Sequence, residues 1–266
     1  MPLICFTSPK GGVGKTTLAA NIAYALSQTG RRILAIDCDP QNALRLHFGA
    51  PIAEQEGWLG SLLRQPDMRP ALRHTGSGVV LLPYGASDMT GALGLDVALE
   101  RQPQLLTGPV RALLADGALT IVADMPPGPS QALAALAPIA DMIVCVLAAE
   151  PMSAALVPEI ESGRFLGGGV AGTAAGQRLR VVVNAVNLDS NLSRSAAEAV
   201  ARHVGWRLLG AVGREEVVAE ALACQRLVLD HAPHSRAAAD LREVTAAINE
   251  TLAAPQQGQT YAWGSR

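Results

Sequence analysis

The chain has 266 residues, 49% of them hydrophobic and 17% charged, with a mean hydropathy of +0.24, enough apolar material for one large buried core. A formal charge of -2 argues against a protein that grips nucleic acid through a broad basic field. The longest apolar stretch, 118–149, is interrupted by Asp124, Asp141 and several prolines, so it offers no run of about 20 apolar residues to cross a membrane.

Short apolar runs at 3–7, 32–37, 79–82, 119–124, 142–148, 179–184 and 207–211 read as buried strands. Between them, 3.6-residue periodicity predicts helices at 15–29, 107–114, 130–137, 154–165, 193–204, 215–223 and 235–252. The alternation implies an α/β fold: a mostly parallel twisted sheet, right-handed crossovers, helices on both faces, and functional groups at the carboxyl ends of the strands. The stretch 50–78 carries Pro51, Pro66, Pro70 and several glycines and reads as an insertion or lid. Residues 1–254 form the single expected domain, and the polar, Gly-rich segment 255–266 a flexible tail whose Tyr261 and Trp263 are available to a partner. Met1 runs into the first strand without the order of a secretory leader, so the expected location is the cytoplasm.

Cys5, Cys38, Cys145 and Cys224 form no CxxC pair and read as reduced, mostly core residues. Three Phe, three Tyr and three Trp leave the core to small aliphatic side chains, which suits helices lying close on a sheet. Of the 21 basic residues only Lys10 and Lys15 are lysines, and both lie in one Gly-rich loop.

That loop, Lys10-Gly11-Gly12-Val13-Gly14-Lys15-Thr16-Thr17, sits between a strand and a helix. Its glycines let backbone N–H groups converge on phosphate oxygens, the helix N-terminus adds partial positive charge, Lys15 can span two phosphates, and the Thr16 hydroxyl can ligate magnesium. The usual G-x-x-x-x-G-K-[ST] pattern fails at its first position, where Pro9 stands; the deviant form K-G-G-x-G-K-[ST] fits instead.

The loop resembles that of the ParA/MinD family of deviant P-loop ATPases, and three further segments agree along nearly the whole chain. Asp37-Cys38-Asp39-Pro40-Gln41 resembles the family's switch I. By that resemblance Asp39 orients the attacking water and Asp37 helps hold the hydration shell of Mg2+. Asp124-Met125-Pro126-Pro127-Gly128 resembles switch II, with Asp124 toward the metal and the Gly128 N–H toward the γ-phosphate. Asn184, at a strand end, resembles the residue that reads adenine, although Ala185 stands where the family often has arginine.

The resemblance implies ATP and Mg2+ as cofactors and a homodimer with ATP at the interface, Lys10 reaching the partner's nucleotide. The segments 39–49 and 225–238 are similar to those of the branch encoded with bacterial cellulose synthase. That branch implies a switch acting on the synthase and secretion complex, recruited to the inner membrane through partners. A DNA-partitioning ATPase is the alternative, with Arg194, Arg202, Arg207 and Arg214 as the candidate DNA patch.

Overall fold

The computed structural model describes residues 2–51, 53–62, 67–163, 166 and 176–254. Residues 255–266, the expected tail with Tyr261 and Trp263, lie outside this set. In chain order the elements are β1 (Leu3–Thr7), α1 (Lys15–Gln28), β2 (Arg32–Asp37), α2 (Leu44–His47), α3 (Trp58–Leu62), β3 (Arg73–His74), β4 (Val80–Leu82), α4 (Met89–Arg101) and α5 (Gln104–Leu114). There follow β5 (Leu119–Asp124), α6 (Gln131–Leu136), β6 (Met142–Ala148), α7 (Pro151–Ala155), α8 (Val157–Glu161), β7 (Leu179–Val186), α9 (Asn191–Val204), β8 (Leu208–Gly213), α10 (Glu216–Ala223), α11 (Val228–His231) and α12 (Arg236–Ala253).

The strands form one sheet in the order β3-β4-β2-β5-β1-β6-β7-β8. Every pairing is parallel except β3 with β4. The central strands are apolar at nearly every position because both faces are covered. On β1, Leu3 and Cys5 pack into one core layer with Leu99, Leu133 and Val200 from α4, α6 and α9. Ile4 and Phe6 point into the other, against Leu18 and Ile22 of α1 and Leu241 and Ile248 of α12. Lying between sheet and α12, α1 buries residues around most of its circumference, including Asn21. The Asn21 amide accepts from Val228 N at 2.7 Å and donates to Thr17 O at 2.9 Å, so its burial leaves no unmet polar group.

Several expectations are corrected. The region around 58 is not a loose lid: Trp58 is fully buried, stacks edge-to-face on Tyr84 with centroids 5.1 Å apart, and donates its indole N–H to Asp37 O at 2.6 Å. The expected helix over 154–165 is instead two short helices, α7 and α8, each with a proline in its first two positions; Phe165 lies outside the described residues. Helix α4 was not foreseen, since Gly91 and Gly94 weaken its propensity, yet Asp88 caps it by accepting from Gly91 N at 2.7 Å. The four arginines of the candidate DNA patch are spread along α9 and its flanks: Arg194 lies in the first turn of α9 and Arg214 follows the carboxyl end of β8, whereas Arg202 lies in the last turn of α9, about 12 Å from Arg194 at 1.5 Å per residue, and Arg207 in the turn just beyond it. Cys5, Cys38 and Cys145 are buried free thiols, and Cys224 is an exposed one.

His47 is 3% exposed, and burial lowers its pKa to about 4. A histidine depressed in the folded state stabilises fully above its unfolded pKa, near 6.5, and loses that contribution as pH falls toward 4. The shift corresponds to about 3 kcal/mol. Denaturant melts between pH 7.5 and 4.5 should therefore show a shallower acid loss in His47→Gln than in the wild type; parallel pH profiles would contradict the assignment.

Candidate functional site

The site lies at the carboxyl ends of the three adjacent strands β2, β5 and β1. Residues 8–14 turn from β1 into α1, with Gly12 and Gly14 at φ +78° and +84°, the left-handed region that glycine enters without steric cost. At Gly14 a side chain is excluded twice over, because a Cβ would also fall 2.2 Å from Asn184 Nδ2. Gly14 starts α1 and no side chain caps that end, which leaves first-turn N–H groups and the positive end of the helix dipole for an anion.

In the ladder, Asp37 and Asp124 are direct partners across β2 and β5. Both are fully buried, and Asp39 is 8% exposed. A single ammonium serves two of the three: Lys15 Nζ lies 2.5 Å from Asp124 Oδ1 and 3.8 Å from Asp39 Oδ2. Thr16 Oγ1 donates to the other Asp124 oxygen at 2.7 Å. Burial pushes Asp124 up while Lys15 and Thr16 oppose it; burial pushes Asp37 well up, and the Asp124 charge adds to the rise. Each Asp37 oxygen accepts one backbone N–H, from Asp39 at 2.9 Å and Leu44 at 3.0 Å, so Asp37 shapes the turn that carries Asp39. Asp39 Oδ1 accepts from Gln41 N at 2.9 Å.

The remaining sequence-predicted residues surround this cluster. Gly11 and Gly12 are exposed on the loop, Val13 is buried beneath it, and Thr17 lies in the first turn of α1. Asn184 donates its amide to Val13 O at 2.8 Å, which ties β7 to the loop. Its approach is set by a register shift in β7 between Val183 and Val186, where Ala185 adopts φ +56°, a feature the sequence reading did not anticipate. The Gly128 N–H donates to Ser8 O at 2.7 Å. Lys10 is ion-paired to Glu150 of its own chain, both partly exposed. The two residues are 140 positions apart, so this pairing has no local signal in the sequence.

This donor set fits a phosphate chain with a hard divalent cation. Hydroxyl and carboxylate oxygens are the ligands magnesium prefers, and three buried carboxylates against one lysine leave negative charge to neutralise. Among the described residues no three acidic, His or Cys side chains close around one point. A magnesium ion here would complete its shell with phosphate oxygens and water, as it commonly does. A cavity of about 700 Å³ between α1 and α12, lined by Tyr24, Gln28, Asp230, Arg242 and Asn249 among others, shares no residue with this cluster.

Comparison with known proteins agrees with the fold. The family model for cellulose biosynthesis protein BcsQ matches residues 1–248. BcsQ of Salmonella typhimurium is 43% identical over 86 residues, 32% of this chain and 34% of the relative; BcsQ of Escherichia coli K12 is 38% identical over the same length. At that identity the chain spans about a third of the length of these relatives. The chromosome-partitioning ATPase Soj of Thermus thermophilus is 32% identical over 257 residues, 93% of this chain and 96% of Soj. Among solved structures, the septum site-determining protein MinD complexed with Mg-ADP from Pyrococcus horikoshii superposes with a TM-score of 0.75 at 21% identity, covering 94% and 96% of the two chains. An ATP complex of McdA from Cyanothece gives 0.73 at 20% identity, covering 97% and 99%. At such identities these two structures establish the fold.

Removing one partner of a buried ion pair costs about 3–5 kcal/mol, because the other charge is left uncompensated. Lys15→Met should destabilise the ligand-free protein by that order. Asp37 and Asp124 are raised in the folded state, so any stability they carry is greatest at low pH and falls as pH rises through their folded values. The deficit of Lys15→Met should therefore shrink between pH 7.5 and 5, read as the difference in Tm from wild type; an equal deficit at both values would contradict the charge account.

Proposed function

The chain belongs to the family of cellulose biosynthesis protein BcsQ, and from that membership we propose that it is a magnesium-dependent ATPase whose dimerisation switch supports bacterial cellulose synthesis and secretion. The observation that carries the reading is the convergence of Lys15, Thr16, Asp39 and Asp124 on one buried point beside a glycine loop. Phosphoryl transfer needs positioned water and charge compensation more than covalent chemistry, and these residue types supply both.

In this reading the loop N–H groups from Gly11 to Thr17 hold the phosphates, and Lys15 exchanges Asp124 for the β- and γ-phosphate oxygens. Thr16 and Asp124, with Asp37 behind them, hold the cation, which when bound neutralises phosphate charge. Asp39, with only one oxygen held by a backbone N–H, orients the attacking water. Gly128 trades its bond to Ser8 O for one to the γ-phosphate, so the loop after β5 reports whether that group is present. Asn184 keeps its amide N–H on Val13 O and offers its oxygen to an adenine amino group.

Lys10 is the residue that crosses to the nucleotide of the second copy. To do so it must leave Glu150, and an ion pair this exposed is worth only about 0–1 kcal/mol, a weak and readily exchanged restraint. The dimer then acts on subunits of the cellulose synthase and secretion complex, which bring it to the inner membrane. No helix among the described residues is long and apolar enough to cross a membrane. Likeness to Soj along 93% of the chain keeps a partition ATPase as the second reading, but the split of its candidate arginines between two ends of the fold favours the first. Replacing the chromosomal gene by the Lys15→Ala form tests the role directly: cellulose output should fall while nucleoid segregation stays normal, and the reverse pattern would favour partition.

Asp39→Ala should keep ATP binding, lower phosphate release at least about a hundredfold and accumulate the ATP dimer by light scattering. Undiminished release would mean that another group positions the water. Lys10→Ala should bind ATP as a monomer and fail to dimerise, whereas Glu150→Gln, which frees Lys10, should dimerise at up to about fivefold lower protein concentration. Wild-type dimerisation in both variants would remove the crossing role.

A further inference from the structure

At the amino ends of β7 and β8, the opposite end of the sheet from the glycine loop, an exposed indole is framed by two guanidinium groups. Trp206 is 67% exposed, whereas Trp58 is fully buried in the core. The Arg180 guanidinium carbon lies 4.6 Å from the Trp206 ring centroid and that of Arg207 lies 5.2 Å from it. These stacks fix the indole in place while leaving most of it uncovered.

The charges around it are unbalanced. Arg180 donates to the carbonyls of Gln177 and Leu179 at 3.1 and 2.8 Å, backbone bonds that orient it without neutralising it. Burial draws its pKa down, and the adjacent Arg207 adds to the fall. Glu161 is the carboxylate that reaches the group, and it is divided, with one oxygen 3.4 Å from Arg207 and the other 3.0 Å from His203 Nε2. Among the described residues the buried Arg207 Nε has no hydrogen-bond partner.

A half-satisfied pair of arginines around a rigid, exposed tryptophan is the composition of an interface hot spot, in which Trp and Arg are enriched. We infer that Trp206, Arg180 and Arg207 form a docking point for an acidic segment of a partner protein, whose carboxylates meet the guanidinium groups while an apolar side chain covers the indole. The patch lies away from the face that carries Lys10 and the glycine loop, so a partner held here leaves nucleotide binding and dimerisation free. This inference does not depend on the ATPase reading.

The test uses the full-length protein and a short fluorescein-labelled peptide of repeating Glu-Glu-Phe, with binding read by anisotropy at moderate salt. The wild type should bind it with a Kd of about 100 µM or tighter. Trp206→Ala and Arg180→Gln should each weaken binding by about tenfold or more, with an unchanged far-UV circular dichroism spectrum and cooperative thermal melt as the check that the variants are folded. Failure of the wild type to bind, or equal binding by the variants, would overturn the inference. So would competition by duplex DNA that itself depends on Trp206, since the patch would then be a nucleic-acid contact.

Discussion

One ammonium group shared between two buried carboxylates, with a third beside them, is the constraint on which the site depends. Asp37 and Asp124 face each other because β2 and β5 are adjacent and in register, and Lys15 reaches Asp124 because its loop leaves β1, the next strand along. Burying Asp124 without Lys15 would leave an uncompensated charge, and burying Lys15 without Asp124 would do the same in the opposite sense. The ligand-free site is therefore closed on itself by the Lys15 pair and the Thr16 hydroxyl. In the proposed mechanism a phosphate chain that takes Lys15 would strand Asp124, and a cation would then be needed in the same pocket, which would link nucleotide and magnesium by electrostatics.

The surrounding structure divides into parts that hold this cluster still and parts built to change. Asp37 accepts two backbone N–H groups, Trp58 donates to the Asp37 carbonyl, and Asn184 ties β7 to the loop, all at ordinary hydrogen-bond lengths in buried or half-buried surroundings. The Gly128 bond to Ser8 and the Lys10 pair with Glu150 are different in kind, because each engages a group that the proposed mechanism needs elsewhere. In the proposed mechanism they are the positions at which a nucleotide state would be converted into a change of shape or assembly.

Much of this was legible in the sequence, and for physical reasons. Strands buried on both faces read as continuous apolar runs, so β1, β2, β5 and β6 were located to the residue, and the acidic residues at their carboxyl ends followed from the topology of parallel sheets. The loop was legible because the left-handed backbone at Gly12 and Gly14 favours glycine. What escaped was set by tertiary contacts. The Trp58 segment looked irregular because its order comes from stacking on Tyr84, and α4 carried two glycines that local propensity counts against it. The Lys10 partner, 140 residues away at Glu150, had no local signal, nor did the left-handed Ala185 that aims Asn184. Four arginines spread over 194–214 looked like one patch, whereas α9 puts about 12 Å between Arg194 and Arg202.

The central claim is that Asp124 makes nucleotide binding require a cation. Titration of ATP into the wild type and Asp124→Asn, each with magnesium and with EDTA, tests it most directly. The account predicts that the wild type binds ATP at least about tenfold more tightly with magnesium, and that Asp124→Asn, which frees Lys15 and removes the stranded charge, gains affinity in EDTA and narrows that ratio to about threefold or less. A variant that keeps the full magnesium dependence, or binds no better in EDTA, would contradict it.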